Sequence, residues 1–249
     1  MTRFSIFTSG LSDMKLATLV TNTDFSDFAK ARSLDDAKFA ALIAEVRPEW
    51  TVEAFWVCKG DFPEELSVFD GIMVTGSPAS VNDAEPWIEQ LQVMLRGVVA
   101  EGKPLFGACF GHQIIAKALG SQVIRNPDGW AHGLLDVIRV GDTPWSGPDQ
   151  RLRLYGSHVE QVDTLPKNAK RIFESPGCPI AGFSIGTTVF TIQHHPEMSP
   201  DFFTDLVSEY ASYVGPEVTE AARASLVGQT ADGRVFASEV ARFFEQARR

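Results

Sequence analysis

The sequence predicts an α/β protein: a mostly parallel central sheet with helices on both faces and a small antiparallel extension. Three observations carry this. Short apolar runs alternate with segments of helical spacing through the first half of the chain, the pattern of consecutive βα units. Two of those runs, residues 71–75 and 104–108, are apolar or small almost throughout, as strands covered on both faces are. From 121 to 183 the pattern shifts to short strand-like runs broken by Gly and Pro, which suits antiparallel pairing.

Taken in order, residues 16–20 form the first strand, and 24–31 mix polar and aromatic side chains as a loop does. Leu34, Ala37, Ala41 and Ala44 stand at helical spacing within 34–46, and Pro48 lies just beyond. Residues 51–57 read as a strand by their β-branched and aromatic content. The segment 61–70, with a Pro and several acids, is a connection to the buried strand 71–75, which ends in Gly76, Ser77 and Pro78. Residues 86–101 form a helix with Pro86 near its start, where a missing N–H costs nothing. Strand 104–108 leads directly into helix 111–119. After the antiparallel stretch, 187–193 returns as a buried strand and 200–213 as a helix. Pro216 breaks the chain, and 231–249 form a terminal helix. The organisation expected is an N-terminal extension over 1–13, one domain over 14–213 and a helical segment over 214–249.

Bulk properties exclude more than they assign. With 249 residues, 44% hydrophobic and 22% charged, the chain can bury a substantial core. A net charge of −10 without a Lys/Arg run argues against nucleic acid or an anionic membrane surface as partner. Cys58, Cys109 and Cys178 are far apart, which argues against a disulfide framework or a cysteine-rich zinc site. No apolar stretch reaches the roughly 18–20 residues of a membrane span, and the start lacks the features of a secretory signal. A cytoplasmic location is the expectation, with no metal and no cofactor. The nucleotide-binding pattern GxxxxGK[ST] is absent.

Chemistry concentrates in two places. Gly107, Cys109 and Gly111 lie where a strand hands over to a helix. Small residues at 107 and 111 permit the tight turn of a nucleophile elbow, which sets a thiol at a helix N-terminus where thiolate is favoured. The N–H of Phe110 is then free to face an oxyanion. Alone, the string fits a core cysteine between glycines equally well. The second place is the end of strand 187–193, where His195 can act as general base and acid and Glu197 can hold its imidazole. His194 reads as a packing or hydrogen-bonding residue, because neighbouring strand side chains point to opposite faces and cannot share one ion.

Gly107-x-Cys109-x-Gly111-x-Gln113, followed by His195-Pro196-Glu197, resembles the class I glutamine amidotransferase family over roughly residues 14–213. That resemblance implies a flavodoxin-like three-layer sandwich and a catalytic triad of Cys109, His195 and Glu197. It also implies a γ-glutamyl thioester and ammonia release from glutamine. By the same resemblance, Gly76 joins Phe110 in the oxyanion hole, Gln113 helps seat the substrate, and Ser157 and His158 hold its α-amino and α-carboxylate groups. Trp130, His132 and residues 142–150 are expected at the pocket rim. Many members of this family are fused to, or dock on, a synthase that uses the ammonia, which makes a synthase an expected partner. The elbow Cys109 to Ala116 also resembles that of free-standing γ-glutamyl peptidases, so a γ-glutamyl compound stays open as the substrate. A non-catalytic protein on the same scaffold and a redox-sensing Cys109 are the remaining readings.

Overall fold

A computed structural model describes residues 13–247; the expected extension over 1–13 lies outside them except for Asp13. In chain order the strands are β1 (Lys15–Leu19), β2 (Thr51–Phe55), β3 (Gly71–Val74), β4 (Leu105–Ala108), β5 (Val123–Arg125), β6 (Ala131–Arg139), β7 (Arg151–His158), β8 (Glu160–Val162), β9 (Ala169–Ser175), β10 (Cys178–Ile185) and β11 (Val189–Ile192). The helices are α1 (Asp27–Lys30), α2 (Asp35–Ala44), α3 (Pro86–Ala100), α4 (Phe110–Ala118), α5 (Pro200–Glu209), α6 (Ala211–Val214), α7 (Pro216–Leu226) and α8 (Gly233–Ala247).

Nine strands join one sheet in the order β2-β1-β3-β4-β11-β10-β9-β6-β7, and β5 pairs with β8 apart from it. Pairing is parallel from β2 to β11 and antiparallel beyond. The fold is thus the expected α/β sandwich, with its antiparallel extension continuous with the parallel sheet.

Period-two alternation sorts the strand side chains between two cores. Ile72, Val74, Leu105 and Val189 face Ile88, Leu91 and Leu95 of α3 and Ile114 and Ile115 of α4. Met73, Phe106, Phe190 and Ile192 face the other way, onto Phe39 of α2 and Phe236, Phe243 and Phe244 of α8. The C-terminal helix α8 is therefore one of the layers covering the sheet. Arg139 and Glu239, both buried, meet at 2.5 Å, and Glu239 also accepts the N–H of Gly147 at 2.8 Å. Both of these contacts fall on Glu239 Oε1, and its buried Oε2 has no hydrogen-bond partner among the described residues.

Three local departures from the sequence reading have simple causes. Within 24–31 a single turn, α1, forms because Ser26 caps it, accepting the N–H of Ala29 at 3.3 Å. The helix expected over 200–213 is interrupted at Tyr210, giving α5 and α6. Pro216 does not simply break the chain but opens α7 at its first position, after Gly215 at φ 89°.

Candidate active site

The parallel strands β3, β4 and β11 are neighbours with β4 in the middle, and their C-terminal ends are in register: Val74 opposite Gly107, and Ile192 opposite Ala108. Gly76, Cys109 and His195 follow those ends, on the rim where open α/β sheets place their ligands.

Cys109 links β4 to α4 with φ 53° and ψ −109°, a conformation L side chains seldom adopt. The turn is held by the Cys109 N–H donating to Ile192 O at 2.9 Å and the Gly111 N–H to Thr75 O at 3.0 Å. It closes only because residues 107 and 111 lack side chains. A Cβ on Gly111 would strike Val74 O, and one on Gly107 would lie 2.7 Å from the Gly111 carbonyl. The sequence reading of an elbow, rather than a plain core cysteine, corresponds to this geometry.

His195 is anchored by its own N–H, which donates to Tyr155 O at 2.8 Å. Its Nδ1 meets Glu197 Oε1 at 2.7 Å, with both side chains almost enclosed. The ring lines the same cavity as Cys109. Burial alone would lower the imidazole's pKa. Electrostatic interaction with Cys109 and Glu197, together with the hydrogen bond to Glu197, overcomes that and holds it well above its usual range.

Gly76 lies against this pair: a Cβ there would sit 2.9 Å from His195 Cε1 and 3.6 Å from Cys109 Cβ. The carbonyls on either side are occupied away from the site, Thr75 O by Gly111 N–H and Thr21 Oγ1, and Gly76 O by Thr21 Oγ1 at 3.0 Å. In a trans peptide the N–H points opposite its carbonyl, so the Gly76 N–H is turned away from Thr21. Phe110 is the first residue of α4, and its N–H has no place in the helical ladder.

Gln113, Ser157 and His158 all line the same cavity of about 520 Å³ as Cys109 and His195, but their polar atoms are partly spoken for. Gln113 Nε2 donates to Glu160 O at 2.8 Å and to Gln193 Oε1 at 3.1 Å. Ser157 Oγ meets His132 Nδ1 at 3.1 Å. His158 gives Nδ1–H to Glu160 O at 3.0 Å, and its Nε2 is shut off from the cavity surface. Trp130 lines the cavity, and His132 stacks on Tyr210 behind it at 6.1 Å. Residues 142–150 do not line it: Trp145 and Gly147 pack against α8 instead.

One residue near the sulfur escapes the sequence reading. Gln193 is fully buried, and its Nε2 donates to Cys109 Sγ at 3.8 Å while Gln113 holds its oxygen. Its position two residues before His195, at a strand end, is the signal that could have found it. The chain has five histidines, and all five are buried in this region. Burial, as the largest influence, pushes His112 down to about 3 and His132 and His158 to about 4. His194 is also held well below its usual range. His195 alone is raised. Among the described residues no cluster of three His, Cys, Asp or Glu side chains could hold a metal ion, and no helix is long and apolar enough to cross a membrane.

A family model described as "Glutamine amidotransferase class-I" matches residues 42–207. Gamma-glutamyl peptidase 4 of Arabidopsis thaliana is 28% identical over 204 residues, spanning 78% of this chain and 80% of that protein. A glutamine-hydrolyzing GMP synthase subunit of Archaeoglobus fulgidus is 28% identical over 138 residues, spanning 54% of this chain and 70% of its own length. The crystal structure of a glutamine amidotransferase from Thermotoga maritima covers 94% of this chain and 97% of its own with a TM-score of 0.74. At 18% identity it speaks for the fold.

Proposed function

The chain belongs to the class I glutamine amidotransferase family, and from that premise we propose that it hydrolyses γ-glutamyl amides through a thioester on Cys109. Cys109 Sγ attacks the γ-carbonyl, and the N–H groups of Gly76 and Phe110 receive the oxyanion. His195 protonates the departing amine, then takes a proton from the water that attacks the thioester. Glu197 fixes the imidazole and stabilises its charged form through Nδ1. Ser157, the backbone near His158, and Gln113 form the side of the cavity that receives the amino-acid end.

The observation carrying this reading is the convergence on one cavity of a strained cysteine at a helix start and a buried His–Glu pair at 2.7 Å. A core cysteine has no need of a positive φ, and a redox thiol has no need of Glu197 behind His195. Glutamine is the first substrate to consider, with ammonia passed to a synthase. The name of the Archaeoglobus relative supports that version, and the name of the Arabidopsis relative supports a free-standing peptidase. The test is product release from glutamine and from glutathione, each with the Cys109→Ala variant. Cys109-dependent release from either supports the thioester; undiminished release by the variant refutes it.

A further inference from the structure

The cavity runs on past the reacting groups. Its volume, about 520 Å³, falls in the range that encloses drug-sized ligands, roughly 300–1,000 Å³. Ammonia leaving from glutamine has no use for the outer part. Asp24 bounds that part from the β1–α1 connection. Glu209, Tyr210 and Tyr213 bound it from α5 and α6, and Trp130 stands across them.

Two properties define the chemistry of this chamber. Trp130, Tyr210 and Tyr213 stand edge to face, with centroids 5.5–6.4 Å apart and planes crossing at 68–78°. Rings at such angles form a corner of π faces, the arrangement that receives a cation. Tyr213 holds its place there although 74% exposed, so core burial does not explain it. The second property is charge. Burial first, then Asp24, Cys109, Tyr213 and Glu209, push the Tyr210 phenol up to about 12, and all four of those residues line the same cavity as the ring. Lys38 is the only Lys or Arg among the described lining residues, and it is committed: it bonds Asp35 at 2.9 Å and lies 3.6 Å from the Phe202 ring centre. A leaving group bearing a carboxylate would find no free cation there.

We propose that this chamber is a leaving-group subsite selecting γ-glutamyl amides whose amine part carries a positive charge, as in the mono-γ-glutamyl amide of a diamine. The inference rests on the thioester reading above and deepens it. The Cys109 sulfur bonds to the γ-carbonyl carbon, the C–N bond of that carbon breaks, and the amine leaves with a proton from His195. Water then supplies hydroxyl to the γ-carbonyl carbon as the C–S bond breaks, its proton passing to His195. The sum is amide plus water to glutamate plus free amine. The departing amine retains its second ammonium within the aromatic corner, opposite Asp24 and Glu209.

The experiment compares kcat/KM for the γ-glutamyl amides of diaminobutane and butylamine, with glutathione and glutamine alongside. It also measures the affinity of the Cys109→Ala protein for the first two. The expected result is a preference of about tenfold for the cationic over the neutral amide, the scale of a cation–π contact plus a screened carboxylate. Glu209→Gln and Tyr213→Ala each reduce that ratio, and so does added salt. A ratio near one, a preference for glutathione, or turnover of glutamine alone overturns the subsite. If no amide is turned over while the Cys109→Ala protein still binds the cationic amide more tightly, the subsite stands and the thioester reading fails. Neither turnover nor selective binding overturns both.

Discussion

Cys109 holds a backbone conformation that costs of order 1–3 kcal/mol, and its surroundings explain why that cost is tolerated: at φ 53° the thiol stands beside His195 instead of sinking into the sheet. The residue-scale consequence concerns Glu197. Its Oε1 sits 2.7 Å from Nδ1, so Glu197→Gln keeps the shape but removes the charge that steadies the imidazolium. The expected loss in kcat is about 10²–10⁴-fold with a near-native melting temperature; full kcat would remove Glu197 from the mechanism. Cys109, His195 and Glu197 were legible in the sequence because each stands at a strand end with small or rigid neighbours. Gln193 was not. A buried amide reaching a sulfur depends on Gln113 holding its other end, a contact across 80 residues that no local pattern encodes. The same limit applied to His158, which looked available in sequence but has given Nδ1 to Glu160 O.

At the scale of elements, the elbow depends on two glycines rather than on its cysteine. Gly111 has Val74 O where a Cβ would go, so Gly111→Ala must push α4 away from β3. Overpacking of this kind costs about 1–3 kcal/mol, and here it also moves Phe110 N–H away from Gly76. A lower urea midpoint together with a fall in kcat is expected. A variant as active as the parent would show that the two N–H groups need not act together. The strands β3, β4 and β11 and the helix α4 were readable because apolar runs and small residues mark them. The breaks at Tyr210 and Gly215 were not, since they follow from how α5 and α7 dock on Leu134 and Tyr155. The aromatic corner of the chamber depends on those breaks, and so it was invisible to periodicity. Residues 142–150 read as rim in the sequence because the group that draws them off, the buried Glu239 of α8, lies far along the chain.

Taken as a whole, the molecule surrounds its one raised imidazole with neutral ones. His112, held at about 3, and His132 and His158, held at about 4, stay uncharged when folded, whereas in the unfolded chain they titrate near 6.5. The stability this confers is complete above about pH 6.5 and is lost as pH falls toward 4, each histidine costing up to about 1.4 kcal/mol per pH unit. His195 runs the opposite way: its raised value adds stability below about 6.5 that disappears as pH climbs through its folded pKa. Urea midpoints measured from pH 7 to pH 4 are therefore expected to fall steadily, because these three groups and His194, also held low, outweigh one. A flat profile would show that these rings are not held neutral by burial. The sequence showed five histidines but not their convergence, because they come from β6, α4 and the ends of β7 and β11, which only the sheet order brings together.

The most direct measurement is mass spectrometry of the protein quenched in acid during turnover of a γ-glutamyl amide, followed by digestion to locate any adduct. The expected result is a γ-glutamyl group on the peptide containing Cys109, absent from the Cys109→Ala variant and more abundant in Glu197→Gln if thioester hydrolysis is the step it slows. An adduct on Cys58 or Cys178, or turnover that persists in Cys109→Ala, would contradict a thioester at the elbow.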